Sequence, residues 1–112
     1  NVCYVYGGAA SGLFISSVYT YTEATDTWAS LSNMSSGHEG NATCSVGSLN
    51  YVSGGKKGTA GTSSTSSSTA TPETLEHDPA LDTYIVKSDM SPVGTSPAAA
   101  YNVMNQGASI TP

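Results

Sequence analysis

Short runs of apolar and aromatic residues alternate with small polar residues along this chain, and Gly or Ser interrupts every longer apolar window. Such runs are typical of β-strands, and the sequence lacks the three-and-four spacing that marks a helix. The pattern predicts strands, in chain order, at residues 2–6, 13–21, 26–31, 41–46, 49–53, 74–77, 82–87, 98–103 and 107–111. Gly47-Ser48 between two of them is typical of a two-residue hairpin turn. We therefore expect an all-β protein.

The chain carries one pattern twice. Tyr4-Val-Tyr-Gly-Gly8 recurs 47 positions later as Tyr51-Val-Ser-Gly-Gly55. The segment from Tyr21 to Trp28 recurs 56 positions later as the segment from His77 to Tyr84. A period near 50 residues is typical of stacked units, and four short strands with their turns fill one unit, as in the blades of a β-propeller.

The repeats define the organisation of the chain. The first repeat occupies 1–46, and the second occupies 47–102. A Ser/Thr-rich insertion at about 58–73 lies where the second repeat needs its extra residues. Residues 103–112 begin a third repeat, so the chain holds about two units.

The repeated residues resemble those of the kelch family. Its repeat has an apolar strand that ends in Gly-Gly, then Tyr-Asp-Pro-x-Thr-Asn-x-Trp, a Leu, and Met-Pro followed by Arg. The first repeat matches at Tyr21, Thr25, Asp26, Trp28, Leu31 and Met34, and the second, degenerate repeat matches at Asp78, Pro79, Asp82 and Met90. His77 and Tyr84 stand in the places of the Tyr and the Trp, Lys87 stands at the Leu place, and His38 stands at the Arg place of the first repeat.

The resemblance implies four-stranded antiparallel blades, about two of them, in a β-propeller that is incomplete without neighbouring blades or subunits. Propellers close with about four to eight blades, and repeat arrays need about three units for stability. We therefore expect further blades or identical subunits as partners, and apolar surface at both ends of the pair. The residues that we expect to shape the blades are the two diglycines and two large aromatic side chains between blades: Gly7, Gly8, Gly54, Gly55, Trp28 and Tyr84.

Charge limits the range of partners. Only 10% of the 112 residues are charged, and the formal net charge is −5 with three Lys plus Arg. An acidic chain offers no basic patch for phosphate backbones, so we expect no nucleic acid partner. The sequence also has no apolar run long enough to cross a bilayer, so we expect no membrane insertion.

Cysteines and hydroxyl-rich segments bear on the compartment. Cys3 and Cys44 are either two buried thiols or one disulfide of an oxidising compartment, and they lack the spacing of a metal pair. The sequons at Asn33 and Asn41 are candidate glycosylation sites. The hydroxyl-rich tract is either an O-glycosylated loop, which would add carbohydrate as a partner, or a plain flexible insertion, and its candidate acceptors are Thr62, Ser63, Ser64, Thr65, Ser66, Ser67, Ser68 and Thr69. Together these features favour an extracellular, virion or cell-surface location.

The sequence offers no catalytic set and no cofactor motif. His38 and His77 are the only imidazoles, and neither has a recognisable nucleophile or orienting group, so both are interpreted as loop or turn residues. Six carboxylates are interpreted as turn residues that cap backbone amides: Glu23, Asp26, Glu76, Asp78, Asp82 and Asp89. Some kelch propellers are copper oxidases, but the Tyr and His pattern of that centre is not recognisable in this chain.

The leading hypothesis is a non-catalytic extracellular interaction or structural module that binds a partner, or its own copies, through blade edges and loops. A self-assembling filament or viral appendage subunit is the first alternative. The second is a fragment of a secreted kelch-type oxidase or glycan-acting enzyme.

Overall fold

The computed structural model describes residues 1–65 and 70–90. In this part of the chain there is no α-helix, and a single 3-10 turn covers Glu23–Thr25. The strands are β1 (Val2–Ala10), β2 (Leu13–Thr22), β3 (Thr27–Leu31), β4 (Gly37–Glu39), β5 (Ala42–Val46), β6 (Leu49–Ser53), β7 (Lys56–Gly58), β8 (Thr74–Asp78) and β9 (Thr83–Lys87). The prediction of an all-β protein is confirmed, whereas the strands expected at 98–103 and 107–111 lie outside the described residues.

The strands form three antiparallel sheets. The first sheet has the order β1-β2-β3, and the second has the order β5-β6-β8-β9. A small third sheet pairs β4 with β7. In the second sheet the Gly47-Ser48 turn joins β5 to β6 as predicted, with Gly47 at φ +59°. That second sheet is a four-stranded antiparallel unit, and the described residues form no closed ring.

The first and second sheets are repeats of each other in register. Val18 pairs with Leu31 in the first sheet, and the residues 56 positions later, Thr74 and Lys87, pair in the second. The same shift turns the pair of Tyr21 and Trp28 into that of His77 and Tyr84. Between β1 and β2, Tyr4 opposes Thr20, and their equivalents Tyr51 and Glu76 also oppose each other. The spacing read from the sequence therefore corresponds to a shared pairing register.

The diglycines stand at points where the backbone comes close to β4. Gly7 has φ +65°, and a β-carbon there would collide with the carbonyl oxygen of His38. Gly55 has φ +73°, and a β-carbon there would collide with the carbonyl oxygen of Glu39. The expectation that Gly7-Gly8 ends a strand is wrong, because β1 continues to Ala10 after a register shift between Tyr6 and Gly8. Glycine permits this bulge and the close approach at the same position.

The hydrophobic core lies between the first and second sheets. Its buried members come from both sheets and from the segment that joins them: Tyr6, Val18, Met34, Val52 and Leu75. Tyr4, Leu31 and Tyr84 pack against them at the margin. Burial of aliphatic and aromatic side chains of this size contributes about 1.5–3 kcal/mol each, so this interface is the main source of stability.

Part of the Ser/Thr-rich insertion is integrated into the fold. Lys56 in β7 is buried, and its Nζ donates a hydrogen bond to the carbonyl oxygen of Ser64 at 2.5 Å. Ser64 is 3% exposed, and its backbone N–H bonds the carbonyl of Gly12. The expectation that Ser64 accepts a glycan in a free loop is therefore wrong for the folded chain, because its side chain is enclosed. Thr62, Ser63 and Thr65 are exposed, and Ser66, Ser67, Ser68 and Thr69 lie outside the described residues.

Candidate functional site

The outer face of the first sheet carries a valine and three aromatic residues, all of them exposed except the half-buried Tyr21. We call the group Val5, Tyr19, Tyr21 and Trp28 the aromatic face. Val5 pairs with Tyr19 across β1 and β2, and Tyr21 pairs with Trp28 across β2 and β3, so these side chains share one side of the sheet. The rings of Tyr21 and Trp28 lie 5.0 Å apart, and the Tyr21 hydroxyl donates to Asp26 at 2.9 Å. This hydrogen bond raises the pKa of Tyr21.

The equivalent face of the second sheet is buried. The residues that correspond to the aromatic face, at the same repeat shifts, are Val52, Leu75, His77 and Tyr84. The first three are at most 3% exposed, and Tyr84 packs against the core, because this face contacts the first sheet. The expectation that Trp28 packs between blades is not met within this chain, since Trp28 is 60% exposed. In the described residues, no sheet lies opposite it.

The outer face of the second sheet has a polar centre. Tyr6, Val18 and Leu31 of the first sheet face the core, but their equivalents are Ser53, Thr74 and Lys87. Ser53 and Thr74 bond each other at 2.6 Å. Tyr51 donates to Glu76 at 2.8 Å, which raises the pKa of Tyr51, and Lys87 pairs with Glu76 at 3.7 Å. The expectation of apolar surface at both ends is met only in part here, since the exposed aliphatic side chains of Ile85 and Val46 share this face with a hydrogen-bonded polar centre.

A buried polar network crosses between the two sheets. His77, fully buried, bonds the Tyr6 hydroxyl through Nδ1 at 2.6 Å and Asp82 through Nε2 at 3.0 Å. Because an ionised Asp82 can only accept, Nε2 carries the proton and Nδ1 accepts from Tyr6. The Asn50 amide donates to the same hydroxyl at 2.9 Å. Burial raises the pKa of Tyr6 to about 12, so its hydroxyl is kept as a donor.

The same network fixes the chain after β3. Asp82 accepts the Ser32 N–H at 2.8 Å, and the Tyr84 hydroxyl donates to the Ser32 carbonyl at 2.6 Å. The bonds from His77 and Ser32 lower the pKa of Asp82. The interpretation of His77 as a loop or turn residue is wrong, because the residue belongs to strand β8. Its ring stacks on that of Tyr84, with the ring centroids 4.4 Å apart. Burial among satisfied partners gives His77 a structural role and closes it to substrates.

His38 is also buried rather than in an exposed loop, so that interpretation is wrong as well. It lies in β4 at 2% exposure, and neither ring nitrogen has a hydrogen-bond partner among the described residues. Burial lowers the pKa of His38 to about 4, although the nearby carboxylate of Glu73, 4.0 Å away, opposes the shift. The Nζ atom of Lys57 donates a hydrogen bond to the same Glu73 carboxylate at 2.7 Å. The carboxylate is therefore already paired, and the ring of His38 stays neutral.

The carboxylates divide between turns and strands. Asp78 accepts the backbone N–H groups of Ala80 and Leu81, as expected for a capping turn residue. Glu76 instead lies within β8, so its interpretation as a turn residue is wrong. No three His, Cys, Asp or Glu side chains of residues 1–65 and 70–90 are placed to hold a metal ion.

The cysteines and sequons lie on separate strands and turns. Cys3 in β1 is half-buried, Cys44 in β5 is exposed, and both are free in the structure. Asn33 is exposed, and Asn41 is half-buried.

No helix in the described part of the chain is long and apolar enough to cross a membrane.

The chain matches no known protein-family model, and no curated protein aligns with it significantly. The likeness to kelch repeats therefore stays a hypothesis. Two residues of the aromatic face, Tyr21 and Trp28, belong to the repeated signature, but the signature does not show that they are on an uncovered face. Only the structure shows which of the equivalent positions in the two repeats lack a covering sheet.

Proposed function

We propose that the chain is a non-catalytic, kelch-like interaction module whose aromatic face docks onto an apolar β-sheet face, either of a further blade or of another copy. The observation that carries this proposal is the contrast between equivalent positions. Val52 and Leu75 are buried by a neighbouring sheet, while their counterparts Val5 and Tyr19 are 41% and 45% exposed. Exposed apolar side chains grouped on one face of a sheet in this way favour a protein interface.

The energetics favour docking. Covering side chains such as Trp28 and Tyr19 contributes on the order of 2 kcal/mol each. Aromatic residues are also enriched among the residues that dominate interface energies. Extracellular, virion or cell-surface placement remains part of the proposal, supported by the low charge and the sequons at Asn33 and Asn41.

The second outer face distinguishes one-sided docking from filament formation. An open filament needs two complementary faces on each subunit. Here the polar side chains Ser53, Thr74 and Lys87 replace the apolar residues that cover the core in the first sheet. This difference favours a module that docks through one face over a head-to-tail polymer.

Sedimentation of the purified chain over a wide concentration range tests the proposal. We expect concentration-dependent association with a blue shift of Trp28 fluorescence. Tyr19→Lys, which keeps Trp28 as the reporter, abolishes both, while Ile85→Lys, at a similarly exposed position on the other outer face, retains them. A chain that stays monomeric, with unchanged indole emission at millimolar concentration, would refute docking between copies. Long polymers that Ile85→Lys disrupts would favour the filament alternative.

A further inference from the structure

A cleft of about 350 Å³ opens between the two large sheets, at the end that carries the β5–β6 and β8–β9 turns. Its lining residues are Tyr4, Ser48, Asn50, Pro79 and Ala80. This volume lies at the lower end of the range for small-molecule sites, so the cleft suits one ring-sized ligand. None of these residues belongs to the aromatic face.

The deep part of the cleft is preorganised. Asn50 is 4% exposed, donates one amide hydrogen to Tyr6 and accepts from Ser45 at 2.7 Å. An amide has two hydrogens and two acceptor lone pairs, so with these partners from the described part of the chain Asn50 retains one donor and one acceptor. Its partners fix its orientation, and a ligand therefore meets a polar group that needs no rearrangement.

The chemistry of the lining selects for neutral, hydroxylated ligands. Tyr4 supplies an aromatic ring, and Pro79 and Ala80 supply small apolar surfaces. Asn50 and the exposed Ser48 supply uncharged donors and acceptors. Among the residues that the structure describes, no Lys, Arg, His, Asp or Glu lines the cleft, so no charged side chain of this part of the chain compensates the desolvation of an ionic ligand. A pyranose ring matches this set, with apolar C–H groups on its faces and hydroxyls around its edge.

We propose that this cleft binds a single neutral pyranose ring, free or at the end of a glycan. The site is independent of the proposed docking function, because it uses different residues.

Titration of the ¹⁵N-labelled chain tests the site, with amide shifts as the readout. The probes are the methyl glycosides of glucose, galactose, mannose and N-acetylglucosamine. We expect saturable shifts of Ser48, Asn50 and Ala80 with at least one glycoside, with Kd on the order of 1–10 mM. A trisaccharide that ends in the same sugar should bind at least as tightly as the methyl glycoside if the natural ligand is the end of a glycan. If the methyl glycoside binds and the trisaccharide does not, the site is assigned to free sugars. The absence of saturable shifts with all four glycosides overturns the proposal.

Variants locate the site. Ala80→Trp places an indole in the mouth of the cleft and should weaken binding at least tenfold. Ala80 is exposed, so the fold should tolerate the change, and Ser48→Trp provides a second blocking variant. Ala24→Trp, at an exposed position in the 3-10 turn, is the matched control and should bind as the unmodified chain does. Undiminished binding by both folded blocking variants overturns the proposal.

Discussion

Burial of His38 should make the fold sensitive to mild acid. The folded-state pKa of this histidine is about 4, against 6.5 for the ordinary side chain. Above pH 6.5 the ring is neutral in the folded and unfolded chains, so it adds nothing to the pH dependence. As the pH falls from 6.5 to about 4, the unfolded chain binds the proton first, and the free energy of unfolding decreases.

The magnitude follows from the difference between the two pKa values. Each pKa unit corresponds to about 1.4 kcal/mol, so the full loss is about 3 kcal/mol, of which about 2 kcal/mol has gone at pH 5. This is a large part of the roughly 5–15 kcal/mol by which small domains are stable. The Glu73 carboxylate limits the loss, because it favours the protonated ring.

Urea unfolding followed by far-UV circular dichroism at several pH values between 7 and 4 measures the effect. The comparison is with His38→Gln, which keeps a neutral polar group of similar size and cannot titrate. Every other ionisable group is common to both proteins, so the difference between their two curves isolates His38. We expect the unfolding free energy of the unmodified chain to fall by about 3 kcal/mol relative to that of the variant. Parallel curves would refute the reasoning and would mean that water reaches the ring.

Three further predictions concern the network and the backbone. Tyr6→Phe removes the hydroxyl that joins the two sheets and should lower the unfolding free energy by about 1–3 kcal/mol. The control Tyr19→Phe, at an exposed position, should change the unfolding free energy little. Equal effects of the two substitutions would show that the network does not stabilise the interface. Gly7→Ala should cost about 2 kcal/mol more than Gly47→Ala in the same urea assay, because both glycines have φ near +60° but only at Gly7 does the new β-carbon meet a carbonyl oxygen, and similar losses would contradict the close approach. Asp82 has a lowered folded-state pKa, so it adds stability above its ordinary pKa of 3.8 that is lost as the pH falls through the lower folded value. Asp82→Asn should therefore weaken the dependence of the unfolding free energy on pH below pH 4, as measured by urea unfolding at several pH values. An unchanged pH dependence would contradict this assignment.

Local sequence predicted the strands of the two large sheets and their turns. Aromatic and β-branched runs bounded by Gly, Asp and Ser specify such strands, and β5 and β6 appear close to the expected limits. The constant shift of 56 positions also anticipated the shared register between β2–β3 and β8–β9.

The small sheet and the buried histidines could not be predicted in the same way. Gly37-His38-Glu39 has no apolar alternation, and its partner strand β7 follows the second diglycine. Both strands form because the glycines admit a close backbone approach, which is a tertiary effect. The burial of His77 depends on Tyr6, 71 positions away, so only the packing of the sheets reveals it.

The route of the chain after β7 has a consequence for modularity. Thr62 and Gly61 exchange backbone hydrogen bonds with Phe14, and Ser64 bonds Gly12, so a strap from the second repeat closes over the hairpin of the first. Because neither unit can unfold without breaking these hydrogen bonds, the two units should unfold together in a single cooperative transition. The sequence can be divided into two similar halves, but the strap joins them in the structure, so we expect that neither half folds when it is expressed without part of the other.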